Sequence, residues 1–255
     1  MSDSVDIRQL LQSWPYDPEN AARIVRGDDG REILQVRTPL GLEQLEMQGR
    51  PDGVRHHAIE SALEFHLQRF ANAQATGREA DFELSAEECA ELFSEGTLYY
   101  LRYLQLFQLK RWAETVRDTA RNLRLFDFVH RHAVREEDRE HLEKWRPYIL
   151  RMNAAASALL VLEQGDATKA LSIIQTALDQ IAALEELDDE TFRFERKRSR
   201  AALRGLQAQV KRMQPVSPLE QLERQLRSAI ERQEFERAAE LRDRIRGLRA
   251  QQSVR

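Results

Sequence analysis

Two apolar stripes near the end of the sequence constrain the fold more than any other feature. Ser217 precedes Pro218, and Glu220 follows three residues after the serine. This order predicts a helix start with a serine N-cap, a proline in the first turn and a glutamate that completes a capping box. The apolar residues of the two stripes are Leu219, Leu222, Leu226, Ala229 and Ile230, and then Phe235, Ala238, Ala239, Leu241, Ile245 and Leu248. Their steps of three and four residues, interrupted by a polar pair at 233–234, predict two amphipathic helices joined as an antiparallel hairpin.

A hairpin of two short helices is marginally stable by itself, because so short a chain buries too little apolar area to offset its ordering entropy. We therefore expect part of both stripes to stay uncovered by the chain itself. A second hairpin from a partner would cover them and close a four-helix bundle. The pattern predicts a docking element for another protein.

The second stripe also carries a recognisable signature. From Phe235 to Asp243 the order Phe-Glu-x-Ala-Ala-x-x-Arg-Asp is similar to the core of the UVR motif. That motif occurs in bacterial excinuclease subunits B and C, in Clp-type ATPases of the C class and in activators of protein arginine kinases. The resemblance implies that Arg242 and Asp243 join the apolar residues in partner binding. It implies no nuclease, helicase or ATPase activity, because the rest of the sequence lacks those domains.

The composition is that of a helical protein with no general attraction to nucleic acid. The chain has 255 residues, of which 32% are charged and 7% aromatic, and its formal net charge is −4. Its single cysteine, Cys89, excludes an internal disulfide and a cysteine-based zinc cluster. The N-terminal residues lack a signal-peptide pattern, and no apolar run reaches transmembrane length. We expect a reducing bacterial cytoplasm as the compartment.

Glycine and proline are concentrated in the first part of the chain, which predicts turns and strands there. Residues 1–80 are interpreted as an N-terminal cap with a small antiparallel sheet and a helix. The expected strands lie at 23–26, 32–37 and 42–48, with turns at 28–30 and 50–53. A helix is expected from 54 to about 74.

Residues 83–187 are interpreted as a helical repeat domain. Ser85 and Glu88 predict a capped helix, and Gly165-Asp166 predicts a turn between two later helices. The run from Gly165 to Ala170, with Ala177-Leu178 after it, resembles a tetratricopeptide repeat. The fold class is therefore predicted as mainly α: a tetratricopeptide-like helical-repeat domain with a small N-terminal antiparallel sheet and a C-terminal antiparallel helical hairpin.

Residues 188–216 are interpreted as a basic helical connector to the hairpin segment, 217–251. The connector contains a basic cluster, Arg193, Arg196, Lys197, Arg198 and Arg200. Cations on one helix are the minimal electrostatic footprint of a nucleic-acid contact. Acidic residues at 185–190 offer the other interpretation, in which the cluster is a solvated and partly neutralised helix face.

No pattern in the sequence predicts catalysis, a cofactor or a metal ion. His56, His57 and His66 lie near Glu60 and Glu64, but nothing supplies a clear third metal ligand. Cys89 lies in an acidic stretch, which disfavours a reactive thiolate. Phosphate-binding glycine loops and nucleophile elbows are absent from the sequence.

The sequence therefore predicts a non-enzymatic protein-interaction adaptor whose partner carries a similar helical hairpin, in another protein or in a second copy of the chain as a homodimer. Two narrower functions remain open. One is an accessory factor of nucleotide excision repair that touches DNA through the basic connector. The other is a regulator of a Clp-type protease. No membrane interaction is expected.

Overall fold

The computed structural model describes residues 6–55, 59–213 and 218–252. The chain forms two compact units, Met1–Gln207 and Ala208–Arg255. Their boundary falls inside one long helix, α8, which runs from Glu190 to Met213. Among the helices of these described ranges, none combines the length and apolarity needed to cross a membrane.

The first unit begins with a short helix and a three-stranded antiparallel sheet in the order β1-β2-β3. The elements are α1 (Arg8–Ser13), β1 (Ala22–Arg26), β2 (Glu32–Thr38) and β3 (Gly41–Glu46). Gly30 adopts a φ of 81° in the first hairpin turn, a conformation that glycine reaches without steric cost. The sheet predicted from the sequence is confirmed, with β3 ending two residues earlier than expected.

One face of the sheet packs against the helices. Leu34, Val36, Leu45 and Met47 form an apolar cluster with Leu106, which lies in the last turns of α3. A three-stranded sheet needs such cover, because it cannot form a closed core alone. The sheet is thereby held against the helical part of the same unit.

The helical part of the first unit comprises α2 (Ala62–Ala75), α3 (Ala86–Gln108), α4 (Trp112–His132), α5 (Glu136–His141), α6 (Arg146–Glu163) and α7 (Ala167–Ala183). The start expected for α2 at residue 54 is wrong. Ser61 is the N-cap and accepts a hydrogen bond from the Glu64 backbone N–H, while Val54 and Arg55 are not helical. The cap therefore decides the start, although apolar residues with helical spacing occur before it.

The predicted capping box at the start of α3 is confirmed. The Ser85 hydroxyl accepts from the Glu88 backbone N–H at 3.3 Å, and the Glu88 carboxylate accepts from the Ser85 backbone N–H at 2.8 Å. Behind this start lies the largest apolar core of the unit, which joins α2, α3, α4 and α6. Its fully enclosed members include Leu63, Leu84, Cys89, Leu92, Leu125, Val129 and Ile149.

Charged side chains are also buried in this unit. Arg102 and Asp118 form two hydrogen bonds of 2.7 and 2.9 Å across α3 and α4, and both side chains are 1% exposed. Arg102 also donates to the carbonyl oxygens of Glu46 and Gly49, at 2.6 and 2.8 Å. One guanidinium therefore links the end of the sheet to two helices.

Glu95 forms a second buried connection. Its side chain is fully enclosed and accepts hydrogen bonds from the backbone N–H groups of Ala62 and Leu63, at 2.7 and 3.1 Å. A carboxylate at this place satisfies donors that the first turn of α2 leaves free and complements the helix dipole. Arg50 and Arg121 neutralise it.

The pairs α3–α4 and α6–α7 are helical hairpins with the same kind of turn. In the second, Gly165 has a φ of 82°, and the N–H groups of Gly165 and Asp166 donate to the Leu162 and Val161 carbonyls. Lys110 has a φ of 57° at the matching place in the first. This is the Schellman arrangement that ends many helices. The two hairpins agree with a helical repeat, and the tetratricopeptide resemblance itself stays a prediction.

Candidate partner-binding hairpin

The second unit contains the hairpin predicted from the sequence. Its helices are α9 (Pro218–Glu231) and α10 (Phe235–Gln252). Gln233 has a φ of 59°, its N–H donates to the Ile230 carbonyl at 3.0 Å, and the Glu234 N–H donates to the Ala229 carbonyl at 2.9 Å. These bonds form another Schellman turn. The chain therefore reverses within three residues and brings the two stripes together.

The two helices meet along an apolar seam. Leu222 and Ala229 from α9 lie with Ala238, Leu241 and Ile245 from α10, and each of the five is at most 9% exposed. Leu226 packs against this cluster and is partly buried. Ala229 and Ala238 lie nearest the turn, where they allow the helices to approach closely, and the larger side chains lie farther along the seam.

Other apolar residues of the stripes point outward. Phe235 is 70% exposed, Ile230 is 54% exposed, and Ala239 is exposed as well. The sequence assigned all the stripe residues to partner binding, and the structure separates them into a seam set and this outward set. The side chains of Leu219 and Leu248, which belong to the same assignment, lie outside the described residues.

The charged residues of the signature share the outward surface of α10. Arg242 and Asp243 are both exposed, and Asp243 lies 3.5 Å from Arg246. Phe235, Ala239 and Arg242 follow one another at steps of four and three residues, so they occupy one face of the helix. Ala238 lies in the seam. The Phe-Glu-x-Ala-Ala-x-x-Arg-Asp signature thus supplies one small residue to the interior and three side chains to a continuous outer face.

The basic cluster of α8 is partly neutralised within the first unit. Arg193 pairs with Asp188, and Arg196 pairs with Glu186. Arg196 also donates to the carbonyl oxygens of Ile181 and Ala182 at 3.2 and 2.8 Å, which caps the C-terminal end of α7.

Arg198 pairs with Glu195 at 3.2 Å. Lys197 and Arg200 make no ion pair with any residue that the structure describes, and the same holds for Arg204. Arg204 was not among the residues selected from the sequence. Its spacing of four residues from Arg200 is the signal that would have included it.

His66 and Cys89, which were considered as chemical groups from the sequence, belong to the first unit. His66 is buried, and its burial lowers its pKa. Burial also raises the pKa of the Cys89 thiol to about 11. His56 and His57 lie outside the described residues. Across the residues that are described, no group of three histidine, cysteine or carboxylate side chains is placed to hold a metal ion.

Comparison with known proteins agrees with the geometry of the second unit. Residues 217–251 match the sequence model of the family described as the UvrB/uvrC motif, and this stretch spans both helices of the hairpin. No curated protein and no solved structure matches the chain. The resemblance drawn from the residues is therefore confirmed for the C-terminal segment, whose helical hairpin carries a UvrB/uvrC motif.

Proposed function

We propose that this protein is a non-enzymatic adaptor that docks a partner through the hairpin of α9 and α10. The observation that carries the proposal is the exposure of Phe235, which reaches 70% beside a seam that is already filled. Phe235 and Ile230 are two large apolar side chains that stay mostly exposed in one small hairpin, which is typical of a surface that binds another protein.

The size of the hairpin supports the same function. Its seam buries five small or medium-sized side chains, which is little for a unit of two helices. Full burial of an exposed side chain of this size contributes about 1.5–3 kcal/mol, so covering the exposed parts of Phe235 and Ile230 with a partner would add a part of that for each. Two further helices would supply that cover and complete a four-helix bundle.

The proposed contact is the outer face of α10 that runs through Phe235, Ala239 and Arg242, with Ile230 beside the turn. The two helices are held together by the five seam residues and by Leu226, which packs against them, so these residues support docking by shaping the hairpin. The partner carries a similar hairpin, in another protein or in a second copy of this chain.

The test replaces Phe235 with aspartate in the full-length chain. We expect Phe235→Asp to abolish partner capture and any self-association while the helical content stays unchanged. The matched control is Gln225→Asp, which adds the same charge at an exposed position of α9. Sedimentation equilibrium measures self-association, and affinity capture from cell extract with mass spectrometry measures heterologous binding.

The captured protein also decides between the two narrower functions. An excinuclease subunit that binds the wild-type chain and not Phe235→Asp would indicate an excision-repair accessory factor, and a Clp-type ATPase would indicate a protease regulator. If wild type and Phe235→Asp behave alike in both measurements, the outer face of α10 is not a docking surface.

A further inference from the structure

The part of α8 that belongs to the first unit carries an unneutralised basic face. Lys197 and Arg204 are exposed, Arg200 is partly buried, and none of the three forms an ion pair with a described residue. Three of the nearby carboxylates are already engaged, because Glu186 and Asp188 pair with Arg193 or Arg196 and Glu195 pairs with Arg198. Three positive charges on one helix segment therefore have no ion-pair partner among the described residues.

These three cations lie in a row. Their steps of three and four residues put them on one face of the helix, over about 10 Å of its length. With Glu186, Arg193 and Arg196 they line an open groove in the surface of the first unit. The lining contains no apolar or aromatic side chain.

We propose that this groove binds the phosphate backbone of duplex DNA without reading its sequence. One strand of duplex DNA carries a phosphate for about every 3.4 Å of the axis, so the row spans about three phosphates, one for each cation. Arginine binds phosphate oxygens with its planar fork of N–H donors, and lysine does so as a point charge.

The chemistry of the lining favours duplex DNA over a protein partner and over a single nucleic-acid strand. The centre of a protein interface is depleted in charge and enriched in apolar and aromatic residues, which this groove lacks. Proteins that hold single strands stack the bases on aromatic side chains, and the lining offers none. A row of cations alone suits the outside of a double helix, where contacts go to phosphates.

The test measures the fluorescence anisotropy of a short labelled duplex of mixed sequence as the full-length protein is added. The affinity should fall with salt with a log–log slope of about −2.7, which is about 0.9 for each of three phosphates. Between about 50 and 200 mM salt this slope corresponds to a loss of about 40-fold in affinity.

The decisive variant combines Lys197→Gln, Arg200→Gln and Arg204→Gln. We expect it to bind the duplex at least about tenfold more weakly at low salt and to lose most of the salt dependence. The matched control combines Lys110→Gln, Arg131→Gln and Lys169→Gln, which removes three charges from exposed positions elsewhere in the first unit. The control should bind like the wild type.

Several outcomes would overturn the proposal. These are no binding by the wild type at about 50 mM salt, equal loss in the control and the decisive variant, or tighter binding to a labelled single strand than to the duplex. Circular dichroism checks the fold of each variant. If the triple variant does not fold, the single variants Lys197→Gln and Arg204→Gln replace it, and each should reduce the slope by about 0.9.

Discussion

The two units of this chain are stabilised in different ways. The first unit contains buried ion pairs, with Arg102 and Asp118 each 1% exposed and Glu95 fully enclosed, inside a core that joins a sheet and several helices. The second unit contains a short apolar seam of five residues and leaves Phe235 outside.

The difference shows which residues distinguish each unit from other proteins: buried charges in the first unit and exposed side chains in the second. Buried charges require partners from distant parts of the chain, so the first unit is specified by contacts that it makes with itself. The hairpin has a simple interior that many sequences could provide. Its distinctive residues, Phe235 and Arg242, are exposed on the outer face of α10.

Replacing Asp118 with alanine tests whether the buried ion pair stabilises the first unit. It leaves the Arg102 guanidinium buried without its carboxylate, and we expect the free energy of unfolding to fall by about 3–5 kcal/mol. The measurement is urea denaturation followed by tryptophan fluorescence. It reports on the first unit because Trp14, Trp112 and Trp145 all lie there.

The double variant Arg102→Met with Asp118→Leu is the control, because it removes both charges and retains side-chain volume. We expect it to recover part of the lost stability, because no buried charge is left unpaired, although the Glu46 and Gly49 carbonyls lose the donor that Arg102 supplied. If Asp118→Ala alone costs less than about 1 kcal/mol, the pair does not specify the first unit.

Replacing Leu241 with alanine tests whether the apolar seam alone stabilises the second unit. Replacing a buried leucine with alanine lowers the free energy of unfolding by about 2–5 kcal/mol. We expect this loss to exceed the free energy of unfolding of the hairpin. The helical signal in circular dichroism should fall while the tryptophan transition keeps its midpoint. Ile230→Ala, at a position that is 54% exposed, should change stability by no more than about 0.5 kcal/mol. A shared loss in both signals would mean that the units do not unfold separately.

The helix turns allow a third comparison of the two units, in which the expected changes in stability are the smallest. Gly165 and Gln233 occupy equivalent left-handed positions, one in each unit. We expect Gly165→Ala to destabilise the first unit by about 1 kcal/mol and Gln233→Gly to stabilise the hairpin by up to about 1 kcal/mol. Thermal unfolding followed by circular dichroism measures both. Changes of the same sign in the two variants would contradict the equivalence of the turns.

Features encoded by neighbouring residues were predictable from the sequence. The capping box of Ser85 and Glu88, the strands around Gly30 and both helices of the C-terminal hairpin follow from local spacing and local hydrogen bonds. The same approach placed the start of α2 too early. The prediction relied on the pattern of apolar residues, whereas α2 begins after Ser61, which is its N-cap.

Features that depend on distant residues were not predictable. Glu95 accepts hydrogen bonds from Ala62 and Leu63, more than thirty positions earlier in the chain, and nothing near Glu95 indicates it. The division of the stripe residues into seam and outer face also depends on how the two helices rotate against each other. A helical pattern identifies the apolar side of a helix and leaves that rotation undetermined. Phe235 and Leu241 were therefore assigned to the same apolar stripe, although one is exposed and the other is buried.

The linkage made by Arg102 and Glu95 has a practical consequence for dissecting the protein. A fragment cut at residue 83 would look reasonable from the sequence, since a capped helix starts at Ser85. Such a fragment would remove the carbonyl groups of Glu46 and Gly49 and the N–H groups of Ala62 and Leu63. Arg102 and Glu95 would then be buried without these hydrogen-bond partners. Fragments for recombinant expression should therefore begin upstream of β1.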